Sequence, residues 1–401
     1  MNIIKKNHWS LTGVLLFSCF VFGYSQSTKK ASAKNDYYVA AYIWPSCHDD
    51  PKGRENLWPE GIGEWEVIKK GNPRFEGHYQ PKQPFWGYEP DNDPKVAEKW
   101  IDAATKHGVN VFIYDWYWYD GGPFLESALN DGFLKAKNNG KMQFYIMWAN
   151  HDVKKNYWNY HLHGDDNSLL WDAAVDWKNF QIIVERVIRQ YFHKPNYFKI
   201  NGEPVFAIFD IRKLMQSFGG SVEETRKALD YFREEAKKAG FPGVHFQWTC
   251  GGGWLMSDED AKTYSERIKA IGFNSVTMYN MGGRSEDYIV YGTNSIKIRE
   301  QWDKIFNVPF FPCTSVGWDD TPRFPKYGKE NTVHYNRTPQ SFATLLSKAK
   351  QYADNHLDQP KLMVINAWNE WVEDSYLLPD MKYGYGYLEA VKDVMTGKYD
   401  Y

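Results

Sequence analysis

Eight short apolar runs alternate with helical patterns along the chain, and this alternation constrains the fold more than any other feature. Each run is six to eight residues long and rich in β-branched and aromatic side chains, as buried parallel strands are. The runs cover residues 37–44, 109–116, 142–149, 204–211, 244–250, 274–279, 310–316 and 363–368. The alternation predicts an α/β fold, a single (β/α)8 TIM barrel, with a doubly wound open sheet as the alternative.

Helical patterns fill the intervals between these runs. One of them begins at Ser221, a residue type that caps helices, and Glu224 follows three positions later. Gly240 then ends it. The predicted helices cover residues 95–107, 125–138, 173–192, 221–239, 258–271, 287–306, 338–355 and 387–395.

Three long segments interrupt the alternation, at residues 45–94, 151–171 and 317–339. They follow the first, third and seventh predicted strands. In a barrel, such loops lie at the C-terminal face, where active sites are found. The first segment is rich in aromatic residues, which disordered segments lack. We therefore predict that it folds over the barrel mouth and forms part of a cleft wall.

Polar and aromatic side chains stand at nearly every predicted strand end. Because these ends meet at one face of a barrel, we predict that they surround a substrate. The predicted substrate-binding residues from these ends are Tyr42, Trp44, Asp115, Trp116, Tyr117, Trp148, Asn150, His151, Trp248, Tyr279, Trp318, Trp368 and Asn369.

Aromatic residues make up 17% of the chain, including 18 Trp and 28 Tyr, although the mean hydropathy is only −0.63. A hydrophilic chain with this many amphipathic rings exposes some of them. Sugar-binding clefts use exposed rings because the apolar face of a pyranose lies flat on an aromatic face. A tryptophan-rich core is the alternative, and we expect both in different places.

Two carboxylates follow the last predicted strand, Glu370 and Glu373. Glycoside cleavage usually needs one protonated carboxyl as acid and one carboxylate as base or nucleophile. In a continuous strand, residues three apart lie on opposite faces, so the strand must end near Trp371 and turn. Mutual repulsion in a partly apolar pocket would then raise the pKa of one of them. Asp115 is a further carboxylate, for which catalysis and the orientation of Asn150 or His151 are both open.

Patterns typical of metal or phosphate sites are weak in this chain. His161 and His163 form one pair, without a third metal ligand near them in the sequence. Residues 251–253 are three glycines, but they lack the spacing of a phosphate-binding loop. A calcium role for residues 48–50, His-Asp-Asp, is left open. We predict no cofactor and no metal.

The N-terminus indicates an export signal over residues 1–25. Lys5 and Lys6 precede a short apolar core at residues 11–22, which is too short to span a bilayer, and small residues precede a cut after Ser25. Residues 26–401 would then form one catalytic domain in a secreted or periplasmic protein. A lipoprotein cut at Cys19 is the less favoured alternative.

Charge argues against nucleic acid as a partner. The chain has 48 basic and 50 acidic residues. Removal of Lys5 and Lys6 leaves 46 against 50, a net charge of −4. This balance does not suit a polyanion, and no other segment of the sequence is apolar enough to be a transmembrane segment.

The Asn-Glu-Trp-Val-Glu run at residues 369–373 resembles a signature of glycoside hydrolase family 99 and of the related WbsX-like proteins. Residues 61–65 and 77–81 extend the resemblance, which spans most of residues 37–390. It implies a (β/α)8 barrel and, for the hydrolases, retaining endo-cleavage of α-mannosidic bonds through a 1,2-anhydro intermediate. Glu370 would then be the base and Glu373 the acid and later base. The matching Glu64, Trp65, His78 and Tyr79 join the predicted substrate-binding residues.

The sequence therefore predicts a secreted glycoside hydrolase with a Glu370–Glu373 pair, acting on a polysaccharide or glycan. A non-catalytic glycan-binding protein on the same barrel is one alternative. A WbsX-like glycosyltransferase is the other, and the export signal disfavours it because nucleotide-sugar donors are cytosolic.

Overall fold

The computed structural model describes Met1 and residues 37–251, 257–283, 285–325 and 333–399. Its main sheet is built from eight parallel barrel strands. They are β1 (Tyr37–Ile43), β2 (Val111–Tyr119), β3 (Gln143–Trp148), β4 (Glu203–Ile208), β5 (His245–Cys250), β6 (Ser275–Met278), β7 (Phe310–Phe311 with Cys313–Ser315) and β8 (Lys361–Asn366). All eight coincide with the predicted runs, which confirms the barrel.

Strand β7 completes the ring although Pro312 divides it into two pieces. Its first piece pairs with β6, where Val276 lies opposite Phe310. Its second piece pairs with β8, where Cys313 lies opposite Val364. Proline lacks the N–H that a strand interior donates, so the ladder breaks at this position. Strand β8 also pairs with β1 and β1 with β2, so neighbours in sequence are neighbours in the ring.

Among the described residues, seven helices of ten or more residues lie around the sheet. They are α1 (Pro94–Lys106), α2 (Trp177–Val187), α3 (Val222–Lys238), α4 (Asp258–Ile271), α5 (Tyr288–Ile305), α6 (Pro339–Asn355) and α7 (Gly386–Met395). The predicted cap of α3 is confirmed, because the Ser221 hydroxyl accepts from the Glu224 N–H at 3.2 Å. Gly240 then adopts a φ of 93°, a left-handed conformation that favours glycine.

The helix predicted over residues 125–138 is wrong. Strand β2 instead runs on to Tyr119 and pairs with a short antiparallel strand, Gly122–Phe124. A π turn (Ala128–Gly132) and a 3-10 turn (Phe133–Lys135) replace the helix. Gly132 packs so closely on the Asp91 carbonyl that a Cβ there would lie 2.4 Å from it. Packing on the first long segment therefore overrides a periodic apolar pattern.

Aromatic side chains fill the layer between the sheet and its helices. Trp368 is fully buried and lies 5.1 Å from Phe112 and 6.3 Å from Trp100 of α1, measured between ring centroids. Inside the barrel, the Tyr145 hydroxyl donates to Gln247 Oε1 at 3.0 Å. The predicted tryptophan-rich core is therefore present.

The three long segments contact one another at the C-terminal end of the barrel. In residues 45–94, short helices form at Pro51–Asn56 and Trp65–Ile68. In residues 151–171, Val153–Lys154 pairs with Leu169–Trp171, and short helices form at Lys155–Trp158 and Tyr160–His163. The Trp58 and Trp158 rings stack at 6.1 Å, and His161 Nε2 lies 2.8 Å from the Pro322 carbonyl. The second segment thus contacts both of the others, and the first and third segments also contact each other, since Arg323 Nε lies 2.9 Å from Glu64 Oε1.

The predicted export signal and Cys19 lie outside the described residues. The three remaining cysteines, Cys47, Cys250 and Cys313, are buried as free thiols. Within the described residues, every helix falls short of the length and apolar character needed to cross a bilayer.

Candidate active site

A cavity of about 490 Å³ opens at the C-terminal ends of the barrel strands. Each of the eight strands supplies at least one lining residue, from its last positions or from the loop that follows it. The lining residues are Trp44, Asp115, Tyr117, Met147, Ala149, His151, Asp152, Lys154, Tyr157, Trp158, Phe209, Gly251, Tyr279, Asn280, Trp318, Arg323, Glu370 and Glu373. The cavity therefore combines aromatic rings with carboxylates, as glycan-binding sites do.

A tight turn after β8 carries Glu370 and Glu373 into this cavity. Strand β8 ends at Asn366, and Asn369–Glu370 then pairs antiparallel with Ser375–Tyr376. The Trp371–Glu373 stretch between them forms a 3-10 turn, and Asp374 closes it with a left-handed φ of 58°. The required bend is therefore a small hairpin, and strand β8 ends at Asn366, five residues before the predicted end near Trp371.

Tyr279 links Glu370 to Asp115. Its hydroxyl lies 2.9 Å from Glu370 Oε2 and 2.9 Å from Asp115 Oδ2. A phenol has one hydrogen to donate, so it can donate to only one of these oxygens. The other contact is a hydrogen bond only if that carboxyl carries a proton and donates to the phenol oxygen. This geometry favours one proton held between Asp115 and Glu370.

Arg323 joins Glu373 to Glu64. Its Nη1 lies 2.9 Å from Glu373 Oε1, and its Nε lies 2.9 Å from Glu64 Oε1. The other Glu64 oxygen accepts from the Trp44 indole N–H and from the Ser46 hydroxyl. All three charged side chains are at least 93% buried. One guanidinium is therefore shared between two buried carboxyls that lie on different segments.

Burial raises the pKa of all three carboxyls around the cavity floor. The pKa of Glu370 rises to about 7, because desolvation and the charge of Asp115 outweigh Arg323 and the Tyr279 hydrogen bond. The pKa of Glu373 rises well above its usual range through desolvation and the neighbouring Glu370. Desolvation also raises the pKa of Asp115. A carboxyl such as Glu370, with a pKa of about 7, can hold and release a proton near neutral pH and is suited to general acid–base catalysis.

The first long segment supports this turn and supplies no side chain to the cavity wall. His78 Nε2 and Gln80 Nε2 lie 2.9 and 2.6 Å from Asp319 Oδ2. The Asp319 N–H in turn donates to the Glu373 carbonyl at 2.9 Å. The prediction that this segment forms part of the cavity wall is therefore wrong, because the segment lies behind the turn that carries Glu370 and Glu373.

Eight predicted site residues do line the cavity: Trp44, Asp115, Tyr117, His151, Tyr279, Trp318, Glu370 and Glu373. The other eleven do not: Tyr42, Glu64, Trp65, His78, Tyr79, Trp116, Trp148, Asn150, Trp248, Trp368 and Asn369. Several of these bind neighbouring chain segments instead. Trp116 Nε1 donates to Glu126 at 2.8 Å, and Asn150 Nδ2 donates to the Asp210 carbonyl at 2.8 Å. Asn369 bonds both the N–H and the carbonyl of Trp44.

Pleating and burial account for four more of these positions. Trp368 packs outward against α1, and Trp248 Nε1 donates to the Phe209 carbonyl at 3.1 Å. Tyr42 lies inside the barrel beneath the cavity, 4.6 Å from the Tyr279 ring. The Trp65 ring packs edge-to-face against Tyr88, with 5.1 Å between the ring centroids. Alternate residues of a strand face opposite sides, so only part of each strand end can reach the cavity.

Arg323 and Tyr157 are two of the lining residues that the sequence did not predict. Arg323 stands between a proline and a phenylalanine in the third long segment, and no motif marks it. Tyr157 belongs to an aromatic-rich stretch of the second segment, so its composition was a usable signal. The Arg323 guanidinium lies 5.5 Å from the centre of the Tyr157 ring, a cation–π contact.

The histidines of the weak metal-like patterns contact other protein groups in this structure. His48 Nδ1 lies 2.6 Å from Asp91 Oδ1, and His163 Nε2 lies 2.8 Å from the Asn56 carbonyl. Across the described residues, no three His, Cys, Asp or Glu side chains converge as a metal site requires.

Solved structures with this architecture include two glycosidase-related barrels. One is a glycoside hydrolase-like protein, with a TM-score of 0.60, 14% identity and coverage of 90% of this chain and 94% of that one. Another is the GH99 endo-alpha-mannosidase from Bacteroides thetaiotaomicron, with a TM-score of 0.55, 16% identity and coverage of 90% and 97%. At these identities, the similarity establishes the fold.

The uncharacterized protein WxcX of Xanthomonas campestris pv. campestris (strain B100) is 22% identical over 374 residues. That match covers 89% of this chain and 49% of WxcX, so the chain spans about half the length of the curated relatives it matches. The family model described as "Glycosyltransferase WbsX" matches residues 39–391, which include the turn with both glutamates and all of the barrel strands except the first two residues of β1. The chain is therefore a member of the WbsX family.

Proposed function

We propose that this protein is a glycoside hydrolase that cleaves glycosidic bonds in a polysaccharide or glycan. The observation that carries the proposal is the convergence of Glu370 and Glu373 on one aromatic-walled cavity. Hydrolysis of this kind needs one carboxyl that gives a proton and one that takes a proton or attacks. The barrel shared with solved glycosidase-related structures is consistent with this chemistry.

Glu373 is the proposed acid and Glu370 the proposed base. Desolvation and the neighbouring Glu370 raise the pKa of Glu373 well above its usual range, which favours its protonated form, whereas the pKa of Glu370 is raised to about 7. Arg323 opposes the rise at Glu373, but its single charge is shared with Glu64. A proton donor and an acceptor therefore stand three residues apart on one turn.

Following the family resemblance, we propose a retaining route on an α-mannoside-like substrate. Glu370 takes the proton of the sugar 2-hydroxyl, whose oxygen attacks the anomeric carbon. The bond to the leaving oxygen breaks, and that oxygen receives the proton of Glu373. Water then gives a proton to Glu373 and opens the 1,2-anhydro ring at the anomeric carbon, while the 2-oxygen recovers its proton from Glu370.

The experiment compares Glu370→Gln and Glu373→Gln with the wild type on a panel of glycans, by chromatography of the products. Each variant should lose at least about 100-fold in turnover while staying folded. Glu60→Gln, on the exposed surface of the first long segment, is the matched control and should keep wild-type turnover. Near-wild-type activity of both site variants on a glycan that the wild type cleaves would exclude this site.

The description of the matched family favours a second candidate, a glycosyltransferase. Such an enzyme would bind a nucleotide-sugar donor tightly. Calorimetry with nucleotide sugars separates the two functions, since a hydrolase should show no heat of binding. Glycan binding without any product would indicate instead a non-catalytic binding protein on the same barrel.

A further inference from the structure

Glu64 belongs to the first long segment, is fully buried and does not line the cavity. It nevertheless forms an ion pair with Arg323, which does line the cavity. Its carboxylate accepts from three donors: Arg323 Nε, the Trp44 indole and the Ser46 hydroxyl. Donors arranged in this way stabilise the ionised form of a carboxylate. The negative charge of Glu64 therefore sits directly against Arg323.

Arg323 faces both Glu64 and Glu373 at the same distance, 2.9 Å. A single positive charge balances only one carboxylate. With Glu64 ionised, a second negative charge on Glu373 would stand uncompensated in a buried site, which is costly.

The other groups that face Glu373 reinforce this imbalance. Carboxyls approach it from its own turn, from β2 and from the third long segment, and phenols approach from three further elements. The groups whose charges act on Glu373, or are acted on by it, are Glu370, Asp115, Asp320, Tyr157, Tyr279, Tyr291 and the cation Arg323. Arg323 is the one cation among these groups. The protonation of Glu373 therefore depends on how far Glu64 neutralises the positive charge of Arg323.

We propose that Glu64 is a positioning residue that keeps Glu373 protonated by occupying the charge of Arg323. The inference rests on the proposed hydrolase function, because it assigns Glu373 as the acid. It gives the glutamate of the Gly-Ile-Gly-Glu-Trp run at residues 61–65 an electrostatic task at a distance from the substrate. Glu64 acts through Arg323 and touches no reacting atom.

Two substitutions at this position separate charge from shape. Glu64→Gln keeps the shape and removes the charge, so Arg323 then stabilises the Glu373 carboxylate alone. The basic limb of the pH profile of kcat/KM should move to lower pH by about one unit, since an unshared opposite charge lowers a carboxyl pKa by about one to three units. Glu64→Asp keeps the charge, so its basic limb should stay near that of the wild type even if turnover falls.

The matched control is Glu66→Gln, two residues along the same segment. Glu66 is also buried, but its Oε1 accepts from the Glu60 N–H and it does not contact Arg323. The basic limb of the pH profile of kcat/KM should therefore be the same in Glu66→Gln as in the wild type. If Glu64→Gln does not fold, Glu64→Met removes the same charge with a side chain of similar length and should shift the limb in the same direction.

Infrared titration of the protonated Glu373 carboxyl, assigned by its loss in Glu373→Gln, gives a second readout that needs no substrate. In Glu64→Gln the band should disappear at lower pH than in the wild type. Identical titrations in both proteins would overturn the inference even if the enzyme hydrolyses glycans. If the wild type cleaves no glycan but the band of Glu64→Gln disappears at lower pH than that of the wild type, the proposed function is contradicted and the charge sharing is supported.

Discussion

At the scale of single residues, the cavity floor concentrates acidic groups that share few positive charges. Glu370, Glu373 and Asp115 are each at least 95% buried, and burial raises the pKa of each carboxyl. Such groups oppose folding whenever they must ionise, since the unfolded chain hydrates the charge better. The residues proposed to carry out the chemistry are therefore a cost to stability.

This cost predicts a pH-dependent gain on substitution of Glu370. The folded pKa of about 7 exceeds the ordinary value of 4.5, so the wild type should lose stability as pH rises from about 4.5 to about 7. Above that range the loss should be constant, at up to about 3 kcal/mol. Glu370→Gln does not titrate, so its unfolding free energy relative to the wild type should increase over the same window.

Denaturant titrations at several pH values measure this difference, with Glu60→Gln as the control for the loss of one carboxylate. A relative stability of Glu370→Gln that is the same at pH 4.5 and pH 8 would contradict the assigned pKa shift.

At the scale of elements, the hairpin after β8 is held by buried ion pairs from two long segments. Asp374, which follows Glu373, contacts Lys82 Nζ at 3.0 Å and Arg337 Nη2 at 2.8 Å. Lys82 also lies 3.5 Å from Asp319, whose N–H binds the Glu373 carbonyl. The position of the proposed acid therefore depends on ion pairs between side chains that do not line the cavity.

Lys82→Met should destabilise the protein by about 3–5 kcal/mol, because it leaves Asp319 and Asp374 with less compensation in a buried site. The matched control is Lys135→Met, which removes an exposed pair with Asp131 and should change stability by no more than about 1 kcal/mol. Thermal and denaturant unfolding of both variants check this. Equal effects of the two substitutions would show that the buried network does not hold the hairpin.

Elements that depend on local pattern were predictable, and those that depend on distant packing were not. The alternation of apolar runs located all eight strands, and Ser221 and Gly240 marked the ends of α3. The helix expected over residues 125–138 failed because Gly132 packs against Asp91 from another segment. Spacing alone likewise indicated a bend between Glu370 and Glu373, but it could not show that a hairpin with Ser375–Tyr376 forms it.

At the scale of the whole molecule, the barrel brings together residues that no local pattern connects. Glu64 and Arg323 are 259 positions apart, and their ion pair forms only because the first and seventh strands are both followed by long segments at one face. The sequence indicated that face and about half of the side chains there. Contacts between long loops, which have no period, required the folded structure.

The proposal of a secreted protein belongs to this scale. We expect the exported protein to begin at Gln26, since small residues precede that position after a short apolar core. Mass spectrometry of the protein recovered from a periplasmic or culture fraction measures the N-terminus. A lipid-modified N-terminus at Cys19 would indicate the lipoprotein alternative, and an uncut chain in the cytoplasm would contradict export.

The central claim is that Glu370 and Glu373 act on one glycosidic bond. A crystal structure of Glu373→Gln with an intact glycan that the wild type cleaves tests it most directly. The account predicts one linkage in the cavity, with the residue-373 amide within about 3.2 Å of the linking oxygen and the Glu370 carboxylate at similar distance from a hydroxyl of the adjacent sugar. A glycan held elsewhere on the barrel, touching neither side chain, would contradict it.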